Sequence, residues 1–232
     1  MKATSAKNLM YAVEVVSADI QGTIQVGVRP AERQLWWELT CCLLSSQVPY
    51  DLAVAVTNVV DRKGLLYMRD IDPSILGMEL LSALSTPVEV NGKTRLYRFP
   101  KCRAHQLAET YRKIRSQHCS LQGLLDSFQD PSMLRTWFVE NAPGLGPKQA
   151  SMFLRNIGVS YDLAVLDRHV LNYMCCIGVH DEPEIKVHKL RHYVLHEEKL
   201  REHANRFHCP VGILDWAIWV VMRVANQISE DA

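Results

Sequence analysis

At 232 residues, 48% apolar and 22% charged, the chain has an ordinary globular composition with room for one large domain or two small ones, which excludes disordered, collagen-like and low-complexity classes. Twenty-six Lys plus Arg stand against 25 Asp plus Glu, a net charge of +1, so any surface for a polyanion must be local. The longest unbroken apolar stretch, residues 216–222, falls far short of the roughly 20 residues of a membrane helix; with no signal-peptide pattern at the N-terminus, a soluble, unexported protein without a membrane partner is expected.

The first 32 residues alternate weakly between apolar and polar, which predicts an N-terminal arm, either a short strand pair or an extended segment on the main body. From Arg33 the pattern turns helical. RQLWWELTCCLLSSQ is apolar nearly all round, as a helix buried on every side would be, and DLAVAVTNVVDRKG reads as a second helix stopped by Gly64. Asn91-Gly92 between alternating residues predicts a small β-hairpin. In RAHQLAETYRKI, Ala104, Leu107, Ala108, Tyr111 and Ile114 share one helix face. Lys101, Arg103, Arg112, Lys113 and Arg115 make the same stretch the most basic of the chain, a solvated face or a candidate for phosphate contact.

A short helix follows, and then PSMLRTWFVEN, with Pro131 and Ser132 in helix-start positions, turns through APGLG into PKQASMFLRNIG. This is a helix-hairpin-helix spanning residues 131–158. Its second helix buries Ala150, Phe153, Leu154 and Ile157 and ends at Gly158. Asp167 is placed to cap the next helix, VLDRHVLNYMCC, and two more, EIKVHKLRHYVLHEEKLREHA and VGILDWAIWVVMRVANQ, close the chain. The body at residues 33–232 is therefore expected to be all-α, with one minor hairpin.

Gly144 and Gly146 lie where the chain reverses between two helices, and glycine permits the positive φ such a turn requires. Without side chains, backbone N–H groups at the turn and at the start of the next helix are open to a phosphate, aided by the helix dipole. Lys148 follows in the first helical turn, and Asp167 lies 19 residues further on.

The runs NAPGLGPKQASMFLRNIG and LAVLDRHVLNYM resemble the helix-hairpin-helix, Gly/Pro-rich loop and Asp superfamily of DNA glycosylases. Within it, the chain is most similar to the compact 8-oxoguanine DNA glycosylase/AP lyases of archaeal and bacterial type. LTCCLLSSQ and LDWAIW resemble that family's early helix and its base-pocket helix, so the likeness spans about residues 33–225. The resemblance implies a two-lobed helical fold and a bifunctional enzyme of base excision repair. Lys148 would attack the sugar C1′ to form a Schiff base, followed by strand cleavage through β-elimination, and Asp167 would stabilise the cation-like sugar as the base departs. It further implies that Asp215 and Trp219 hydrogen-bond and stack the flipped purine, that Met152 and Gln47 line the base pocket, and that His169 joins Gly144 and Gly146 at DNA phosphate.

Asp215 also has a purely physical claim to attention, since it interrupts an apolar helix where an unpaired carboxylate would be costly. The seven cysteines (Cys41, Cys42, Cys102, Cys119, Cys175, Cys176 and Cys209) lack the spacing of a zinc or iron–sulfur site. Buried free thiols and no cofactor are expected, which separates the chain from relatives that carry an iron–sulfur cluster. His188, His192 and His196 share a helix face among Lys and Glu neighbours and read as solvated rather than as a metal site. The chain ends in the acidic ISEDA, where some compact family members carry a basic residue near the lesion. The expected partner is double-stranded DNA containing a damaged base, met by a monomer in the cytoplasm, at the nucleoid in a prokaryote. The alternatives are a glycosylase for another damaged base and a non-catalytic helix-hairpin-helix DNA-binding module.

Overall fold

The computed structural model describes residues 3–24, 30–68, 71–180, 187 and 189–230, with the side chains among them except those of residues 3–5, 73 and 226–230. The chain divides into two units, a continuous one of residues 29–157 and a second that joins residues 1–28 to residues 158–232.

The N-terminal segment departs from the predicted strand pair or extended arm. It is a helix, α1 (Ala3–Thr23), because the weak alternation conceals helical spacing: Met10, Val13, Val16 and Ile20 fall three to four residues apart and face the core of the second unit. There α1 packs along α11 (Val211–Glu230), which also meets α9 (Arg168–Cys176) and α10 (Leu190–Asn205). Tyr173, Met174, Tyr193, Leu200, Leu214 and Ile218 fill this core. The predicted start of α10, near Glu184, lies outside the described residues, as does His188.

In the continuous unit, α2 (Glu32–Leu44) is buried nearly all round, as its sequence predicts. Its first residue serves a distant helix end: Glu32 accepts from Trp36 Nε1 at 2.9 Å and from the backbone N–H groups of Leu121 and Gln122 at 2.8 and 2.9 Å, satisfying the start of α6 (Leu121–Asp126). Next come α3 (Tyr50–Lys63), ended by Gly64 at φ +70°, and α4 (Pro73–Ser85). Sequence reading passed over α4, although Asp72 caps it through Ser74 N at 2.8 Å and Pro73 opens it. Strands β1 (Val88–Val90) and β2 (Lys93–Arg95) pair antiparallel about Asn91 and Gly92, whose φ values of +52° and +72° suit the predicted two-residue turn.

Helix α5 (Pro100–His118) buries Ala104, Leu107, Tyr111 and Ile114. Three of its five cations are committed within the protein. Arg112 pairs with Glu109 at 2.8 Å, and Arg115 donates to Met68 O at 2.9 Å and to Cys119 O. Arg103, at 8% exposure, is an internal strut rather than part of a phosphate-facing strip. The cysteines also divide more finely than expected: Cys41, Cys42 and Cys209 are buried free thiols, Cys175 and Cys176 are half-buried, and Cys102 and Cys119 are exposed. Burial pushes the Cys41 thiol up to about 12. Among the described residues no helix is long and apolar enough to cross a membrane.

Candidate active site

Helices α7 (Pro131–Asn141) and α8 (Pro147–Asn156) are joined by a turn through residues 142–146. Edge-on contact of the Phe138 and Phe153 rings, with centroids 5.2 Å apart, locks the pair together. Leu145 N donates to Ala142 O at 3.0 Å and closes the turn.

The two glycines of this turn do different work. Gly144 has φ +90°, and a Cβ there would stand 2.4 Å from Gln106 Oε1 and 2.8 Å from Arg103 Nη1. Those two atoms are bonded to each other at 2.7 Å, and Arg103 Nη2 reaches Ser46 O at 3.4 Å. The buried guanidinium thus ties α5 to the α2–α3 turn and packs, with Gln106, against the backbone of Gly144. Gly146 has an ordinary φ of −80° and is the N-cap of α8 with no side-chain cap, so it is not a positive-φ position. What it supplies is an open helix start: the N–H groups of Lys148 and Gln149 have no intrahelical acceptor, and Pro147 has no N–H at all.

Lys148 is half-buried in the first turn of α8, and Met152, one turn later, is half-buried beside it. Gln47 does not close α2, which ends at Leu44. It is exposed in the following turn at φ +62°, two bonds along the chain from the Ser46 carbonyl region held by Arg103.

The other predicted residues belong to the second unit. Asp167 is the N-cap of α9, and its carboxylate accepts from Val170 N at 2.9 Å. His169 is half-buried in the first turn of that helix. On α11, Asp215 and Trp219 lie one turn apart with opposite surroundings. Trp219 is 36% exposed, with the Arg223 guanidinium 5.1 Å from its ring centroid, so it is not a core tryptophan. Asp215 is 1% exposed, and its Oδ2 accepts from Val165 N at 2.6 Å. That partner is a backbone amide of the same unit. His196 is likewise engaged, its Nδ1 lying 3.1 Å from His180 Nε2.

Chemically, the first unit offers an amine beside an uncapped helix start, and the second offers a carboxylate fixed at a helix cap and an accessible aromatic face. An amine can act as a nucleophile, free N–H groups can hold a phosphate, and a carboxylate can stabilise a cationic sugar.

The family described as 8-oxoguanine DNA glycosylase matches residues 17–209. The chain belongs to that family. Relatives within it include the 8-oxoguanine DNA glycosylase/AP lyase of Sulfolobus acidocaldarius, 30% identical over 199 residues that cover 85% of this chain and 86% of the relative. That of Korarchaeum cryptofilum is 28% identical over 191 residues, 82% of this chain and 81% of the relative. The crystal structure of the 8-oxoguanine DNA glycosylase of Thermotoga maritima is similar with a TM-score of 0.63 at 27% identity, covering 93% of this chain and 94% of that one. The family match takes in the hairpin, Lys148 and Asp167 and stops short of Asp215 and Trp219.

Sequence reading missed Arg103 as a strut and the buried Tyr193 and Glu197. Arg103 was hidden by its basic neighbours. Tyr193 and Glu197 are separated by one helical turn in a polar helix, and nothing local distinguishes them from surface residues.

Proposed function

We infer that the protein is a bifunctional DNA glycosylase/AP lyase of base excision repair that removes 8-oxoguanine from double-stranded DNA. The observation that carries this reading is Lys148 in the first turn of α8, two residues after an N-cap that has no side chain, in a chain matched by the family over residues 17–209. A helix start that nothing caps internally suits a DNA phosphate. A lysine fixed beside it can form a bond to C1′ as the bond to the base breaks, leaving a Schiff base from which the strand is cut by β-elimination.

In this reading Asp167 stabilises positive charge on the sugar as the base leaves. Trp219 offers its open face for stacking on the extruded purine, with Met152 and Gln47 toward the base, and Gly144, Gly146 and His169 serve the backbone. The enzyme acts as a monomer on chromosomal DNA, in the cytoplasm or at the nucleoid of a prokaryote.

Borohydride trapping tests the reading directly, using duplexes that carry 8-oxoguanine, thymine glycol, uracil or an abasic site, with Lys148→Gln alongside. The expected result is a covalent complex with the 8-oxoguanine duplex that Lys148→Gln abolishes while retaining DNA binding. Trapping that survives Lys148→Gln would assign the chemistry to another amine. Trapping at the abasic site alone would point to a different lesion, and no trapping on any duplex would refute the lyase.

A further inference from the structure

Between Gly158 and α9 the chain runs through residues 163–166, Leu-Ala-Val-Leu, all buried and without regular secondary structure. A buried segment outside helices and strands still has backbone donors and acceptors that must be paired, and regular secondary structure is the usual means. Among the described residues the one sheet is the β1–β2 hairpin, so these groups are paired otherwise.

Side chains take the place of the missing strand. Glu197 Oε1 accepts from Ala164 N at 2.6 Å. Tyr193, one turn earlier on α10, donates its hydroxyl to Ala164 O at 2.7 Å and accepts from Leu166 N at 2.8 Å. Asp215 on α11 takes Val165 N at 2.6 Å. Upstream, Arg201 donates to Asp162 O at 2.8 Å and Gly212 N to Tyr161 O at 2.7 Å.

This arrangement is expensive for a mere filler of space. Glu197 and Asp215 are each 1% exposed, and buried carboxylates cost several kcal/mol each unless well bonded. Arg201 stands as a counter-charge 3.9 Å from Glu197 Oε2. Apolar side chains would pack the same helices without that cost, but they would leave the backbone of residues 164–166 unpaired. What the bonds secure is the path of the chain into Asp167, whose own N–H donates to Val165 O at 2.9 Å.

We propose that Tyr193, Glu197 and Asp215 are positioning residues for Asp167, holding residues 164–166 so that its carboxylate is fixed where the departing base leaves positive charge. The proposal rests on the reading of Asp167 given above. It assigns Asp215 to the backbone rather than to the base edge.

The test is a double-mutant cycle in single-turnover excision from an 8-oxoguanine duplex, with duplex affinity, borohydride trapping at a preformed abasic site and thermal unfolding measured on the same proteins. Tyr193→Phe keeps the buried ring and removes the bridging hydroxyl; excision should slow about 10- to 100-fold, the scale of a displaced catalytic group. Duplex affinity and trapping at the abasic site should be retained, since both depend on groups other than Asp167. Combined with Asp167→Asn, Tyr193→Phe should add no further loss, because it acts through the same carboxylate. Glu197→Gln, which keeps an acceptor for Ala164 N, should lose less than Glu197→Leu.

Wild-type excision by Tyr193→Phe, or losses that multiply in the double variant, would overturn the proposal while leaving Asp167 in place. Wild-type excision by Asp167→Asn would instead remove the reading on which the proposal stands. If thermal unfolding shows Tyr193→Phe to be unfolded at the assay temperature, Glu197→Leu, which removes the acceptor for Ala164 N, carries the same cycle at a temperature where it is folded, with the same outcomes.

Discussion

Replacing each glycine of the helix-hairpin-helix turn by alanine should separate folding from DNA binding. At Gly144 the added Cβ meets φ +90° and three side-chain atoms, from Gln106 and Arg103, closer than 3 Å. The backbone strain is about 1–2 kcal/mol. Gln106 cannot yield freely, because its Oε1 is the 2.7 Å acceptor of the buried Arg103 guanidinium, and breaking a bond to a charged group costs about 1.5–3 kcal/mol more. Gly144→Ala should therefore lose about 2.5–5 kcal/mol, a fall in melting temperature of about 5–20 °C for a chain of this size. At Gly146 the nearest atom to a new Cβ is Gln149 Oε1 at 3.8 Å, and φ is −80°, so stability should change by less than about 0.5 kcal/mol. The same Cβ stands at the uncapped start of α8, where a phosphate would approach. Loss of one close contact of about 1–2 kcal/mol corresponds to about 5- to 30-fold weaker duplex binding. Thermal unfolding together with fluorescence anisotropy on a labelled duplex reads both quantities. A Gly144→Ala protein that melts like the wild type, or a Gly146→Ala protein that loses stability and binds DNA normally, would refute the division of roles.

Trp219→Ala should weaken binding to a lesion-containing duplex by about 1–3 kcal/mol, the worth of base–aromatic stacking, with little change in melting temperature because the ring is partly open; titration against lesion and undamaged duplexes checks this, and equal losses on both would count against a base-pocket role. His203 supplies a pH dependence. Burial, with Arg206 nearby, lowers it from 6.5 to about 4, so between those values the unfolded chain takes up a proton that the folded chain refuses. Stability is complete above pH 6.5 and falls as pH drops through this window, by up to roughly 2–3 kcal/mol. Denaturant unfolding at pH 7, 5.5 and 4.5 should show this slope, and His203→Gln should flatten it; an unchanged slope would assign the acid sensitivity to other groups.

The parts that sequence made legible are those whose signal is local. Asn91-Gly92, the Gly64 and Gly158 helix ends and the Asp167 cap each announce themselves within four residues, because turn and cap geometry depends on the residue types at the turn itself. Val13 and Ile20 are ambiguous in sequence because an alternating and a helical pattern share several positions in a short window. Arg103 and Glu197 could not be read at all. Each is a charged residue on a helix with charged neighbours, and only the backbone it meets from elsewhere in the chain, Ser46 for one and Ala164 for the other, makes it internal. Asp215 was conspicuous as a buried acid for a sound physical reason, yet its partner, Val165 N, lies 50 residues away in sequence.

The second unit is built from both ends of the chain: α1 packs along α11, with residues 29–157 intervening. On the ribosome this fixes an order of events. Helix α1 emerges before the helix that covers Val13 and Ile20 by about 190 residues of synthesis, whereas residues 29–157 form a unit continuous in sequence. The continuous unit is thus free to fold during translation. The unit carrying Asp167 is completed only after α11 has left the exit tunnel, so chains stalled before residue 211 would carry α1 with its apolar face uncovered.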